Sequence, residues 1–179
     1  MELVERRLRL AVDILEKAGI PYAVVGGNAV RIWVAQVDQG AVRATNDVDI
    51  LIRPTDLERV KQAMQDAGFF YRRTTEVDMF VENENDSARN AVHVLLSGQM
   101  VRPTDPEPNP DVEPYEYGEA FRTLPLERLV RMKLNSFRLK DKVHLLDMIQ
   151  VGLIDATWLA RFSGELNARL QGLIENPDQ

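Results

Sequence analysis

Two aspartates flank and interrupt the most apolar run in the first half of this 179-residue chain, and no other feature constrains its fold as strongly. The run TNDVDILI predicts a β-strand from Val48 to Ile52, with Asp47 and Asp49 on either side of Val48. Because residues two apart on a strand point to the same face, both carboxylates should converge on one place. Like charges held there repel each other unless a cation compensates, and carboxylate pairs commonly hold Mg²⁺. The pair therefore predicts a Mg²⁺ site, against the alternative of a strand cap at Asp47 and a surface residue at Asp49.

A pair of glycines precedes this strand. Tyr22 to Val25 is a short β-branched and aromatic run that ends at Gly26 and Gly27, and a helical apolar pattern follows. Glycines let the backbone approach a ligand closely, and the amides at a helix N-terminus bind anions such as phosphate, to which Asn28 would add a side-chain donor. Alone, the glycines would indicate only a tight strand-to-helix turn. Together with a carboxylate pair, they form the combination that phosphoryl chemistry needs.

The periodicity of the rest of the chain predicts an α+β fold. An N-terminal amphipathic helix stops at Gly19, another helix runs from Leu57 to Ala67, and strands are expected at 77–81 and 91–96. In the C-terminal third, apolar residues at helical spacing predict three further helices, the last capped by Asp155. We expect a small mixed β-sheet packed by helices and followed by a C-terminal helical appendage.

One segment is rich in proline and acids. RPTDPEPNPDVEPYEYGE begins at Arg102 and contains five prolines. Closely spaced prolines hold a chain extended and remove backbone donors, so the segment should be a stiff, exposed connector. The predicted domains are a mixed core at 1–101, the connector at 102–118 and a helical subdomain at 119–179.

Composition narrows the chemistry. The chain has no cysteine and only two histidines, which excludes thiolate chemistry and a multi-histidine metal cluster, so a metal should be held by oxygen ligands. A net charge of −6 argues against a wholly basic nucleic-acid binder, although basic residues are dense over 128–142 and would form a local RNA-binding patch or a solvated helix face. Without a membrane-length apolar run or a signal-like N-terminus, we expect a cytoplasmic protein with no membrane partner.

Three titratable residues stand in apolar patterns. Lys133 lies one helical turn from Leu129 and Phe137, so its ammonium either requires an anion there or extends along apolar surface to solvent. His93, in the apolar run AVHVLL, is either a satisfied core residue or a general base or metal ligand. His144 is expected in the first turn of a helix, where we interpret it as structural.

These motifs resemble those of the DNA polymerase β-type minimal nucleotidyltransferases, and most closely their AbiEii-type branch, found as toxins in type IV toxin–antitoxin systems. VVGGNAV and RATNDVDILI are similar to the branch's glycine turn and its R-x-T-x-D-h-D strand (h, apolar), with Arg43 and Thr45 before the aspartates. LPLERLVRMKLNSFRLKDKVHLLDM resembles the segment with a helical lysine, an arginine and a Lys-Asp pair. The matching positions there are Lys133, Arg138, Lys140, Asp141 and Asp147.

The resemblance implies a nucleotidyltransferase core of this type in the first domain and a reaction that moves a nucleoside monophosphate from an NTP to an acceptor hydroxyl, with Mg²⁺ as cofactor. It implies metal ligation by Asp47 and Asp49, with His93 and Lys133 as the other catalytic candidates. The implied nucleotide-binding residues are Gly26, Gly27, Asn28, Arg43, Thr45, Lys133, Arg138 and Asp141. The acceptor would be RNA, especially tRNA, a protein or a small molecule such as an aminoglycoside, and an antitoxin would be a further partner.

The chain departs from the family pattern at the third carboxylate. In active members a further acid usually projects from a later strand, and His93 takes that place here. Asp78 and Glu82 are the nearest acids that could replace it. This departure supports a second hypothesis, a catalytically degenerate domain that binds nucleotide or a partner protein.

Overall fold

The computed structural model describes residues 2–74, 77–117 and 121–177. Its helices are α1 (Glu2–Lys17), α2 (Gly26–Ala35), α3 (Leu57–Asp66), α4 (Leu126–Ser136), α5 (Leu139–Gln150) and α6 (Gly164–Glu175). Its strands are β1 (Tyr22–Val25), β2 (Val48–Ile52), β3 (Phe70–Arg73), β4 (Asp78–Val81), β5 (Val92–Leu96), β6 (Glu116–Tyr117) and β7 (Arg122–Thr123). Short 3₁₀ helices span Gln39–Ala41, Pro54–Asp56, Ala88–Asn90 and Ala156–Arg161.

The strands of the described residues form one mixed sheet in the order β3-β4-β5-β2-β1-β7-β6. Near its centre, β2 pairs antiparallel with β1 and parallel with β5. This register places Asp49 between Val25 on one side and His93 on the other. The α2 N-terminus, which follows Val25 directly, therefore lies at the same end of the sheet as Asp49 and His93.

Helices cover both faces of the sheet because its central strands are apolar on both sides. Ile50 and Ile52 pack into a core with residues of α1 and α3. Leu51 packs on the other face with residues of α2, α4, α5 and α6. Since Asp49 is two residues from Leu51, its side chain faces the C-terminal helices.

The predicted α+β class, with helices at the C-terminus, is confirmed. The predicted strand Val48–Ile52 agrees with β2, and α1 ends just before Gly19, whose φ is +60°. The strands β3, β6 and β7 were not predicted. The C-terminal helix differs as well, because Asp155 caps the short 3₁₀ helix instead and α6 begins only at Gly164.

The proline- and acid-rich segment is exposed at most of its described positions, as its composition predicts, but three of its residues anchor it to the rest of the protein. Asp105 and Asn109 are buried, and Val112 is completely buried in the core beneath the C-terminal helices. Asn109 donates to the Leu96 carbonyl oxygen at 3.1 Å, which ties the segment to the end of β5. The segment therefore links the two halves of the molecule through packing. The predicted boundary at 118/119 lies outside the described residues.

In the ranges that the structure describes, no helix is both long and apolar enough to cross a bilayer.

Candidate active site

The glycine turn is shaped by two side chains that lie against it. Gly26 opens α2 with φ +64°, and a Cβ there would lie 1.9 Å from Oδ2 of Asp49. A Cβ at Gly27 would lie 2.6 Å from Oγ1 of Thr45. Any larger residue at either position would collide with one of these side chains. The groups that approach the glycine backbone closely in this structure are therefore Asp49 and Thr45. Phosphate binding at the turn stays a prediction.

Asp49 is paired with His93 on the adjacent strand. Nδ1 of His93 lies 3.3 Å from Oδ1 of Asp49, and Nε2 lies 2.9 Å from the carbonyl oxygen of Ala88. The hydrogen bond to Asp49 raises the pKa of His93 despite its partial burial. Burial acts to raise the pKa of Asp49, but the hydrogen bond and charge of His93, with the charges of Lys133 and Lys140, lower it.

Asp47 lies just before β2 and is more exposed than Asp49. Its Oδ2 accepts a hydrogen bond at 3.3 Å from Nζ of Lys140, which lies in the first turn of α5. Its backbone oxygen accepts from Nδ2 of Asn28 at 2.7 Å, and Arg31 donates to the Asn28 side-chain oxygen at 3.2 Å. Asn28, predicted as a phosphate donor, thus fixes the backbone before β2. Lys140 was not among the predicted nucleotide-binding residues, although the Lys-Asp pair of the motif contains it.

A buried carboxylate organises the turn between α4 and α5. Asp141 is completely buried, and Lys133 donates to its Oδ1 at 2.8 Å. Ser136 and Arg138 donate to its Oδ2 at 2.7 and 2.9 Å. Although burial alone would raise it, the pKa of Asp141 is lowered by the charge of Lys133 and by these hydrogen bonds. Of the two interpretations of Lys133, the structure shows the buried ammonium with an anion, and that anion is Asp141. Asp141 thus holds the side chains of Lys133 and Arg138 in place. Nucleotide contact by Asp141 or Arg138 stays a prediction.

Arg43 and Thr45 lie on a second side of the glycine turn. Nε of Arg43 donates to both carboxylate oxygens of Asp147, at 2.8 and 2.7 Å, while most of the Arg43 side chain stays exposed. The pair borders a small cleft that also includes Gly27 and His144. His144 lies in the body of α5, which begins at Leu139, and not in a first turn as predicted. Burial, followed by the charge of Lys133, lowers its pKa to about 4, so His144 is neutral at pH 7.

Neither acid proposed as a replacement for the third carboxylate faces the site. Asp78 pairs in register with Val94, which faces the core beneath α1 and α3, and it accepts a hydrogen bond from Tyr71 in that layer. Glu82 lies four residues on and binds Arg7 of α1 at 2.9 Å. Both carboxylates lie on the opposite face of the sheet from Asp49, because side-chain direction alternates along a strand. The position beside Asp49 belongs to His93.

Much of the basic segment 128–142 is engaged within the protein. Arg131 binds Glu107 at 3.0 Å, and Arg128 donates to the carbonyl oxygen of Asp111 at 3.0 Å. The exposed basic groups near the aspartates are those at the start of α5, Arg138 and Lys140, which flank the highly exposed Leu139. The predicted RNA-binding patch is therefore smaller than the sequence indicates.

The donor set suits a hard cation. Among the described residues, no three His, Cys, Asp or Glu side chains are arranged to hold a metal ion. Asp47 and Asp49 nevertheless offer oxygen ligands two residues apart, and each now pairs with a basic side chain that a metal ion could replace. Two carboxylates are the usual protein share of a Mg²⁺ site completed by substrate phosphates. The residues present thus fit a metal ion held jointly with a nucleotide.

Comparison with solved structures identifies the fold. No protein-family model matches the chain, and no curated protein sequence does. An antigenic nucleotidyltransferase-like protein from Paracoccidioides brasiliensis superposes with a TM-score of 0.62 at 18% identity, covering 99% of this chain and 90% of that one. The antibiotic-resistance factor ANT(2'')-Ia gives a TM-score of 0.58 at 11% identity, over 97% and 94% of the two chains. JHP933 from Helicobacter pylori gives 0.52 at 18% identity, over 98% and 74%. Such similarity, at low identity but over nearly the whole chain, shows that this protein has the nucleotidyltransferase fold.

Proposed function

We propose that this protein transfers a nucleoside monophosphate from an NTP to an acceptor hydroxyl and releases pyrophosphate. The observation that carries the proposal is the position of Asp47 and Asp49 at the N-terminus of α2, opposite basic side chains of α4 and α5. Lys140 contacts Asp47, and the charge of Lys133 acts on Asp49. The carboxylates suit a divalent cation, and the basic groups with the α2 amides suit a triphosphate.

The contribution of the protein would be positioning and charge neutralisation, on which phosphoryl transfer mostly depends. Asp47 and Asp49 would hold Mg²⁺, which supplies charge neutralisation at the reacting phosphate when bound. The turn at Gly26 and Gly27 would receive the β- and γ-phosphates. Lys133, held by Asp141 at 2.8 Å, adds positive charge beside them.

Asp49→Asn provides the test. With α-labelled NTP, Mg²⁺ and a cell extract as the source of acceptors, the wild-type protein should label an acceptor, and D49N should reduce the rate by at least ~100-fold. Asp66→Asn changes an aspartate of α3, on the other face of the sheet, and should keep full activity. Equal labelling by D49N and wild type would refute the assignment.

A second candidate function is nucleotide or partner binding without catalysis. It is favoured by one observation: His93 stands beside Asp49 where a third carboxylate is expected, and Asp78 and Glu82 face away. NTP binding measured by calorimetry, with no label transfer to RNA, protein or small molecules, would support it over the first. A His93→Asp variant that gains transfer activity would support it further.

We propose an anionic acceptor, with tRNA first, over a polycationic one. The exposed mouth of the site carries Arg138 and Lys140, which attract phosphate and repel amines. A structure of ANT(2'')-Ia contains adenylyl-2''-tobramycin, so an aminoglycoside is the comparison to make. Labelling of tRNA with none of tobramycin supports the proposal, whereas the reverse refutes it. Labelling of a protein instead would identify the other acceptor class that the AbiEii-type resemblance implies.

The same resemblance leads us to propose that the protein is the toxin of a toxin–antitoxin pair. Inducing the wild-type protein should then arrest growth, and the D49N variant should not. Co-expression of the adjacent reading frame should restore growth if that frame encodes the antitoxin. Growth unaffected by an active wild-type enzyme would contradict the toxin role while leaving the transfer activity in place.

A further inference from the structure

The two-residue link between α4 and α5 is held in an unfavourable backbone conformation. Phe137 has φ +44°, and in the described part of the chain it is the one residue other than glycine with a positive φ. Bulky side chains are rare in this region, and such conformations persist only where the surroundings enforce them. Because residues strained in this way cluster at functional sites, the link is a candidate functional element.

Basic side chains from two helices hold the link in this conformation. Nζ of Lys142, in α5, lies 4.7 Å from the centre of the Phe137 ring, and Cζ of Arg169, in α6, lies 5.0 Å from it. Arg169 also donates to the carbonyl oxygens of Leu134 and Asn135, near the end of α4, at 2.7 Å each. These contacts make the link rigid, so the first residues of α5 have a fixed position.

The rigid link places an apolar side chain in solvent. Leu139, the first residue of α5, is 80% exposed, more than any other large apolar residue that the structure describes. The side chains on either side of it in the sequence, Arg138 and Lys140, are about half exposed. Single exposed leucines are common on protein surfaces, so exposure alone assigns no role. Here, however, the leucine stands between two cations, and Lys140 contacts Asp47 of the candidate active site.

The order basic, apolar, basic fits an unpaired strand of nucleic acid. Along such a strand each sugar and base lies between two phosphates, and the apolar faces of the base are free for contact with a side chain. Arginine and lysine bind the phosphates. In a duplex the base faces are stacked on each other, so an aliphatic side chain gains no such contact there.

We propose that Leu139 contacts an unpaired nucleotide at the end of an RNA acceptor, with Arg138 and Lys140 on the adjacent phosphates. The inference deepens the proposed function and rests on it for the chemistry at the bound end, since Lys140 joins this surface to Asp47. It makes Leu139 a specificity-determining residue, which selects a single-stranded end over a duplex.

The first test measures RNA binding without NTP or metal ion, so that it does not depend on transfer. The probes are two fluorescent RNA duplexes with the same paired sequence, one blunt and one with a short 3′ overhang, titrated by fluorescence anisotropy at low salt. The wild-type protein should bind the overhang at least ~5-fold more tightly than the blunt duplex, and Leu139→Ala should reduce this preference to less than ~2-fold. Equal affinities in the wild type, or an undiminished preference in L139A, would overturn the inference.

Two further variants control for folding and for apolar surface in general. Leu139→Phe keeps an apolar side chain at the position and should preserve or increase the preference for the overhang. Leu3→Ala removes another highly exposed leucine, on α1, which packs on the other face of the sheet, and should keep the wild-type preference. A loss of the preference in L3A equal to that in L139A would also contradict a specific contact at Leu139.

The second test uses the transfer reaction. With the overhanging RNA as acceptor, L139A should raise the KM for RNA ~5–10-fold and leave the KM for NTP unchanged. Transfer to RNA by a protein whose affinity for the overhang does not depend on Leu139 would overturn the binding surface alone. A Leu139-dependent preference in a protein that labels no acceptor would uphold the binding surface and count against the transfer reaction. If a protein is labelled instead and L139A impairs that labelling, the surface binds a protein acceptor and the assignment to RNA is wrong.

Discussion

Oδ2 of Asp49 lies only 1.9 Å from the position that the Cβ of any residue larger than glycine would take at position 26. The position of the Asp49 side chain therefore depends on a glycine at the first residue of α2, Gly26. A glycine at position 26 is needed both for φ +64° and to leave room for this carboxylate.

Gly26→Ala should destabilise the protein by more than the cost of placing an alanine at the positive φ of position 26. Gly19 offers a matched control, since its φ is +60° and nothing lies within 4 Å of its Cβ position. Gly19→Ala should lower the free energy of unfolding by ~1–2 kcal/mol, the usual cost of the left-handed region. Gly26→Ala should cost at least ~2 kcal/mol more, because Asp49 must move. Urea denaturation of both variants measures the difference, and equal losses would contradict the close contact.

The Lys133–Asp141 pair should behave as one unit in stability. Both side chains are buried, so Asp141→Asn leaves the Lys133 ammonium without its carboxylate, at a cost of ~3–5 kcal/mol of unfolding free energy. Lys133→Met should cost less, because Ser136 and Arg138 still donate to Asp141. The double variant should lose less than the sum of the single losses by at least ~1 kcal/mol. Urea denaturation of all four proteins completes the cycle. Strictly additive losses would show that the pair is not coupled.

Local patterns in the sequence predicted the elements that carry the site. The strand Val48–Ile52 follows from an apolar run, and the helix end near Gly19 follows from the glycine itself. Both signals lie within a few residues of the element that they determine. The edge strand β3 was missed because none of its residues, Phe70–Arg73, is fully buried and the run shows no apolar alternation. Composition predicted that the proline-rich segment is mostly exposed, but it did not reveal that Val112 packs into the core.

The pairing of distant residues in the site could not be derived from local patterns. Arg43 and Asp147 are separated by 104 positions, and their ion pair depends on how α5 packs beside α2. The direction of Asp78 depends on the register between β4 and β5, which the intervening loop sets. The family resemblance supplied what periodicity could not, namely that His93 would occupy the position beside Asp49.

Lys140→Gln should strengthen metal binding to the nucleotide-free protein. Lys140 is a cation already bound to Asp47, so a metal ion must displace it. An exposed ion pair of this kind is worth ~0.5–1 kcal/mol, which predicts a ~2–5-fold gain in Mg²⁺ affinity. NTP affinity should fall instead, because a positive charge beside the proposed triphosphate site is lost. Calorimetry with Mg²⁺ and with NTP measures both effects.

Lys142→Gln is the control for that prediction. Lys142 lies two residues further along α5, with its ammonium 4.7 Å from the centre of the Phe137 ring. The Lys142→Gln substitution removes the same charge without affecting a contact to Asp47, so Mg²⁺ affinity should change little. Equal gains in the two variants would assign the effect to net charge and not to the contact with Asp47.

His144 should make the fold sensitive to mild acid. Its folded pKa is about 4, below the 6.5 of an ordinary histidine, so the unfolded chain binds the proton more readily. Stability should therefore fall as pH drops from about 6.5 to about 4, by about 3 kcal/mol in total from this residue. Asp49 and Asp141, whose pKa values are lowered from 3.8, lose their contributions only at still lower pH. Urea denaturation at pH 7 and pH 5 should thus show a smaller loss for His144→Gln than for wild type, and identical losses would show that His144 is not kept neutral in the fold.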